Sequence, residues 1–180
     1  MFQKMLSFST VIAASVFAAA STVSAQTFIV PLSGLQEVPS VNTTGSGTGV
    51  ATLSGLPGSR VLTYTVNYSG LQGTIAAPFA HIHNGPAGAN AAIVHDLDGA
   101  NQLPISGSSQ GTIIGDWRFD DATQPLTDTL ANEFFLGRLY FNLHTTSFPG
   151  GEIRGQIVPE PTTLALLAGA GVMVLRRVRR

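Results

Sequence analysis

The chain has 180 residues, 44% of them hydrophobic and only 11% charged, with 20 glycines, 10 prolines and no cysteine. That length suits one domain with additions, and the missing cysteine excludes a disulfide scaffold, thiolate catalysis and Cys-ligated zinc. The formal net charge of -1 hides a split: Lys4, Arg176, Arg177, Arg179 and Arg180 lie at the extreme ends, whereas residues 26–157 hold four arginines, nine acids and no lysine, a balance that speaks against nucleic-acid binding.

Residues 1–25 read as a secretory signal peptide. Lys4 supplies the positive start, an apolar run follows from Met5 to Ala20, and Val23, Ser24 and Ala25 are the small residues that precede a cleavage point. The alternative is a retained membrane anchor.

Residues 26–157 read as an all-β domain. Leu62, Tyr64, Val66 and Tyr68 alternate with Thr63, Thr65 and Asn67, the period of a half-buried strand. Further strands are expected over Gly49–Leu56, Phe79–His83, Ala92–Leu97, Gly111–Phe119, Leu136–Thr145 and Glu152–Val158. Glycine and proline punctuate them, as in Leu56-Pro57-Gly58 and Phe148-Pro149-Gly150-Gly151. One short helix is expected over Leu126–Phe135, with Leu126, Leu130 and Phe134 on one face and Asp128 and Asn132 on the other. Short strands with turn signals at this density predict a β-sandwich or closed barrel.

All four histidines lie in this domain. His81 and His83 flank Ile82, so on a strand both rings point one way and Ile82 the other. Two imidazoles so placed suit a borderline metal, copper or zinc. His144 shares a face with Asn142, opposite Phe141 and Leu143, and Glu152, Arg154 and Gln156 form a third polar row. If the rows meet, they make a pocket or a buried hydrogen-bond network. The plainer reading is that the three rings bond to neighbouring strands and turns, as buried polar groups must.

Other signals are weaker. Asp96 to Asn101 resembles the start of a calcium loop, but Ala100 and Gly107 stand where oxygen ligands belong, so a solvated turn is expected. Asp120 and Asp121 read as the approach to the helix, Trp117 as core or barrel wall, and Glu152 with Arg154 as a structural ion pair. Glu37 and Glu152 sit in no acid–base motif, and the chain carries no nucleophile elbow, phosphate loop or nucleotide fingerprint.

The C-terminal segment, residues 158–180, opens with Val158-Pro159-Glu160-Pro161, continues with an apolar stretch from Thr162 to Leu175 and ends in Arg176-Arg177-Val178-Arg179-Arg180. As a helix the apolar part would span about 21 Å, against a hydrocarbon core of about 30 Å. The arginines can snorkel and hold the tail in the cytoplasm. These three parts in this order resemble a PEP-CTERM sorting signal, with Pro159, Glu160 and Pro161 as its motif. The resemblance implies an exosortase substrate, held briefly in the inner membrane and then released to the cell surface or extracellular matrix. The alternative is a plain C-terminal anchor.

The domain itself resembles the CHRD, or chordin-type, family from Phe28 to Ile157. The carriers are Leu32-Ser33-Gly34-Leu35-Gln36-Glu37-Val38-Pro39, Tyr64-Thr65-Val66-Asn67-Tyr68-Ser69-Gly70-Leu71, Ala80-His81-Ile82-His83-Asn84-Gly85-Pro86-Ala87, Tyr140-Phe141-Asn142-Leu143-His144-Thr145 and Phe148-Pro149-Gly150-Gly151-Glu152-Ile153-Arg154-Gly155-Gln156. The resemblance implies an immunoglobulin-like β-sandwich or barrel with limited similarity to Cu/Zn superoxide dismutase, and no settled activity. A dismutase two-metal site takes six histidines, and four cannot build it. A copper-only site would need His95 to join His81, His83 and His144, and nothing directs it there. The expectation is therefore an exported, non-enzymatic surface module without a cofactor. Its partners would be signal peptidase, exosortase, the inner membrane, and an extracellular polysaccharide or surface protein. The alternative is a copper- or zinc-binding or dismutase-like protein using His81, His83 and His144.

Overall fold

The structure, a computed structural model, describes residues 25–75, 80–97 and 107–158. The segments read as signal peptide and sorting signal, Pro159, Glu160 and Pro161 included, lie outside the described residues apart from Ala25 and Val158. Among the described residues no helix is long and apolar enough to cross a membrane.

Eight strands form one antiparallel sheet: β1 (Gln26–Ser33), β2 (Ser46–Ser54), β3 (Val61–Ser69), β4 (Ala80–Asn84), β5 (Ile93–Asp96), β6 (Gly111–Arg118), β7 (Leu139–Leu143) and β8 (Ile153–Ile157). Their order is β5-β4-β7-β8-β1-β2-β3-β6. The sheet curls into a nearly closed barrel, because His95 on edge strand β5 stacks on Trp117 of edge strand β6, with ring centroids 5.1 Å apart. Gln124 ties the two edges. It accepts from the Asp96 amide at 2.8 Å, and its own carbonyl accepts from the Trp117 indole. This is the expected all-β barrel with one helix. Trp117, left open between core and wall, is fully buried.

Side-chain parity builds the core. Phe28, Val30 and Leu32 of β1, Ala51 and Leu53 of β2, and Leu62, Tyr64 and Val66 of β3 all point inward. Ile82 of β4 pairs with Phe141 of β7, and both face the same interior. Burial of each large apolar side chain is worth about 1.5–3 kcal/mol.

Strand β1 was not among the expected strands, although Phe28, Val30 and Leu32 alternate there. Pro31 lacks an amide hydrogen and argues against a central strand. The barrel tolerates it because β1 pairs along its whole length only with β2 and meets β8 at a single position, Ser33 opposite Arg154. The Gln36 side chain fills the gap, donating to Pro31 O at 2.7 Å and accepting from the Gln156 amide at 3.2 Å.

Helix α1 (Asp128–Phe135) starts two residues later than expected. The Thr127 hydroxyl accepts from the Leu130 amide and sets its N-cap. Its buried residues are Ala131 and Phe134, and Phe134 stacks on Phe28 with centroids 4.5 Å apart. Asp121 lies in the segment that leads into the helix, where its carboxylate accepts from the amides of Thr123 and Gln124 and closes a turn.

Candidate metal centre

His81 and His83 project from β4 away from the core, as their spacing requires. Across the ladder His81 faces Asn142 and His83 faces Tyr140 of β7, and Asn142 in turn faces Arg154 of β8. This outer face is buried. The loop after β4 folds over it, anchored by the Arg154 guanidinium, which donates to Pro86 O at 3.1 Å and Ala89 O at 2.8 Å. Asn90 continues the cover by donating to Val38 O at 2.7 Å. A polar layer is thereby sealed between sheet and loops.

His144 follows the end of β7 and joins the pair. One nitrogen from each of His81, His83 and His144 lies within 4.8 Å of the other two. Ring centroids are 5.0 Å apart for His81 and His144, 5.6 Å for His81 and His83, and 6.0 Å for His83 and His144.

Backbone carbonyls orient two of these rings. His83 Nδ1 lies 2.9 Å from Ala91 O, and His144 Nδ1 lies 2.9 Å from Pro149 O. A carbonyl only accepts, so each Nδ1 carries the hydrogen and each Nε2 is left as a bare lone pair. Both Nε2 atoms are buried without a hydrogen-bond partner. Burial holds both rings below the usual imidazole range; the Ala91 bond opposes this at His83 and the Pro149 bond at His144, while His144 and Arg154 lower His83 further. The third ring, His81, turns Nε2 toward Asp96 Oδ1, 3.7 Å away. Asp96 is held by Gln124, whose Nε2 donates to its second oxygen at 3.1 Å.

The surroundings are aromatic and cationic. Tyr140 stacks on His83 with centroids 4.8 Å apart and planes within 6°. Arg154 sits 3.4 Å over the Tyr140 ring and donates to Gln156 Oε1 at 3.2 Å. Glu37 is also buried. Desolvation pushes its carboxyl up to about 7 against the pull of Arg154. Gly151, at φ +120°, makes room for it: a Cβ there would stand 2.7 Å from both Glu37 Oε1 and Asn142 Oδ1.

One expectation is corrected. Glu152 and Arg154 do not form an ion pair. Glu152 precedes β8 and turns to the loops, accepting from Thr43 Oγ1 at 2.6 Å, Thr145 Oγ1 at 2.7 Å and the Gln72 amide at 2.7 Å. Asp96 is the last residue of β5, directly before a turn at Leu97, with its side chain 40% exposed and set against His81. Of the proposed calcium loop, residues 98–101 lie outside the described residues.

His95 stays apart. It pairs with Ile82 and so faces the core, between Trp117 and the Tyr64 hydroxyl at 3.1 Å. The four-histidine copper set is therefore not assembled. Asp96, Tyr140 and the two carbonyls are the parts of the site that sequence reasoning missed.

A nearly closed eight-strand antiparallel barrel with one short helix and an external, loop-covered histidine cluster defines an all-β module. A family model described as the CHRD domain matches residues 28–157. The chain belongs to the CHRD domain family, a β-fold module of the extracellular type. No curated protein and no solved structure matches it.

Proposed function

We propose that this is an exported CHRD module, sorted through Pro159, Glu160 and Pro161, that holds one copper or zinc ion on His81, His83 and His144. The observation that carries the metal is the pair of carbonyl-fixed rings whose bare Nε2 atoms share one buried space. In zinc and copper proteins the distal imidazole nitrogen is commonly bound to a carbonyl or carboxylate, which fixes the tautomer and raises ligand basicity. His81 would complete the set through Nδ1, with Asp96 behind its Nε2. Three neutral imidazoles with no carboxylate ligand favour copper or zinc over calcium or magnesium. The residues do not fit a dismutase two-metal site, and the module has no enzymatic role in this reading.

The test is metal analysis of the folded protein, purified from cells supplied with copper and zinc. One equivalent of metal is expected, lost in His83→Ala and in His144→Ala. A folded, metal-free wild type overturns the reading. For sorting, the surface form is expected to lack the residues beyond the Pro-Glu-Pro motif; an intact mass that includes Arg180 refutes it.

Contact with a polysaccharide or surface protein has a separate observation behind it. The outer face of β2, β3 and β6 carries an open groove of about 550 Å³ lined by Val50, Thr52, Thr63, Thr65 and Ile114. Hydroxyl-radical footprinting of whole surface preparations is expected to show protection of the Val50 and Ile114 side chains relative to the purified chain. Equal labelling in both samples counts against this contact.

A further inference from the structure

Both ends of the domain leave the barrel at the same place. Strand β1 runs antiparallel to β8, with Ser33 opposite Arg154, so the start of β1 and the end of β8 emerge together. The β2–β3 turn lies at this end, because Gln26 pairs with Leu53 and Leu53 with Leu62.

Five exposed large hydrophobics gather there: Leu56, Phe119, Phe135, Leu136 and Val158. Their connections are explicit. The Gly58 amide, two residues after Leu56, donates to Asp128 at 3.1 Å at the head of α1. The Phe119 amide donates to Arg60 O at 2.9 Å, and the Arg60 guanidinium lies 5.6 Å from the Phe135 ring centre. Gly137, beside Leu136, approaches Val158 so closely that a Cβ would stand 3.1 Å from Val158 Cγ1. An apolar patch of this kind marks a contact surface.

We propose that this end of the barrel rests on the lipid bilayer while the protein is still attached to the membrane. The inference builds on the reading of residues 162–175 as a membrane segment. Only Pro159, Glu160 and Pro161 separate Val158 from that segment, a tether of about 10 Å when fully extended. The patch is therefore held at the headgroup boundary whenever the tail is inserted. The contact is apolar. Arg60, Arg118 and Arg138 are already paired with Asp128, Asp120 and Glu133 at 3.7, 3.0 and 3.5 Å, which leaves no surplus positive charge for anionic lipid. Ala25 and Val158, the described residues next to the two predicted processing points, flank β1 and β8 at this same end.

The absence of cysteine makes the test direct. The full chain is placed in phosphatidylcholine vesicles carrying a lipid-borne quencher, with a fluorophore on Leu136→Cys, Phe119→Cys or, at the opposite end, Gly150→Cys. Leu136→Cys and Phe119→Cys are expected to be quenched several-fold more than Gly150→Cys, with no change in high salt. Equal quenching at both ends, while the chain remains with the vesicles, overturns the inference and leaves the anchor reading standing. Quenching at Leu136 and Phe119 that disappears in high salt overturns the apolar contact. A chain that does not stay with the vesicles defeats the anchor reading itself, and the inference with it.

Discussion

His83 and His144 present the same nitrogen to one space because each gives its other nitrogen to a loop carbonyl, Ala91 O and Pro149 O, at the same 2.9 Å. Burial keeps both rings below the usual imidazole range. Protons therefore compete with metal only at lower pH than they would for free histidine, near 6.5. Bound zinc or copper is expected to persist as pH falls through that value. Equilibrium dialysis against buffers of decreasing pH measures it, and half-release at or above 6.5 would contradict the geometry.

Asp96 places its carboxylate 3.7 Å from His81 Nε2, on the side of the ring away from Nδ1. Asp96→Asn keeps the size and the Gln124 contact but removes the charge facing His81 Nε2. Losing such a partner weakens metal binding by about 10- to 100-fold. The expected result is that loss with unchanged thermal unfolding of the metal-free protein. An unchanged metal Kd would show that His81 orients itself.

How much of this was legible in the sequence depends on the range of the signal. Alternation within one strand placed His81 and His83 on one face and Phe141 and Leu143 on the other. That His144 joins them depends on β4 pairing with β7, whose residues lie about sixty positions away, and no local pattern reports such a pairing. The same gap hid Asp96, which meets His81 only through the β4–β5 register. Ala91 and Pro149 act through their backbones, so their side chains carry no signal. Parity failed at Glu152 because the strand begins one residue later, at Ile153, and a residue outside the ladder is free to turn. Pro31 is compatible with β1 because the usual objection to proline holds only where a strand is hydrogen-bonded on both sides.

Glu37 and His95 set opposite pH dependences of stability. The Glu37 carboxyl is raised from 4.5 to about 7, mainly by burial. Its contribution is complete below 4.5 and is lost as pH rises through 7. His95 is lowered from 6.5 to about 4, also mainly by burial, with Asp121, Asp96 and Asp116 opposing. Its contribution is complete above 6.5 and is lost as pH falls toward 4. Each shift corresponds to about 3 kcal/mol. In the wild type the gain that Glu37 gives on acidification between pH 4.5 and 6.5 opposes the loss from His95, to which the lowered His83 and His144 add. Urea unfolding at several pH values is expected to show a steeper fall in stability on acidification in Glu37→Gln than in the wild type. His95→Phe should show a shallower one. Parallel profiles for the two variants would refute the assignment.

Glu152 is a junction for three segments. Its carboxylate accepts from Thr43, Thr145, Gln72 and, at 3.4 Å, Gly73. An orphaned buried donor costs about 1–3 kcal/mol. Glu152→Leu is therefore expected to destabilise by at least about 3 kcal/mol, since more than one donor is stranded. Glu152→Gln keeps one acceptor and should cost roughly half as much. Chemical denaturation of both variants checks the order, and a leucine variant as stable as wild type would show that the loops close without it.

The thin seam between β1 and β8, bridged by Gln36, has a mechanical consequence. Its two strands start and finish side by side, so tension applied between the two ends of the domain peels their contacts one after another instead of shearing them all at once. A shell loaded in this way yields at low force. It begins to unravel from its first and last strands while the histidine-bearing β4 and β7 are still joined.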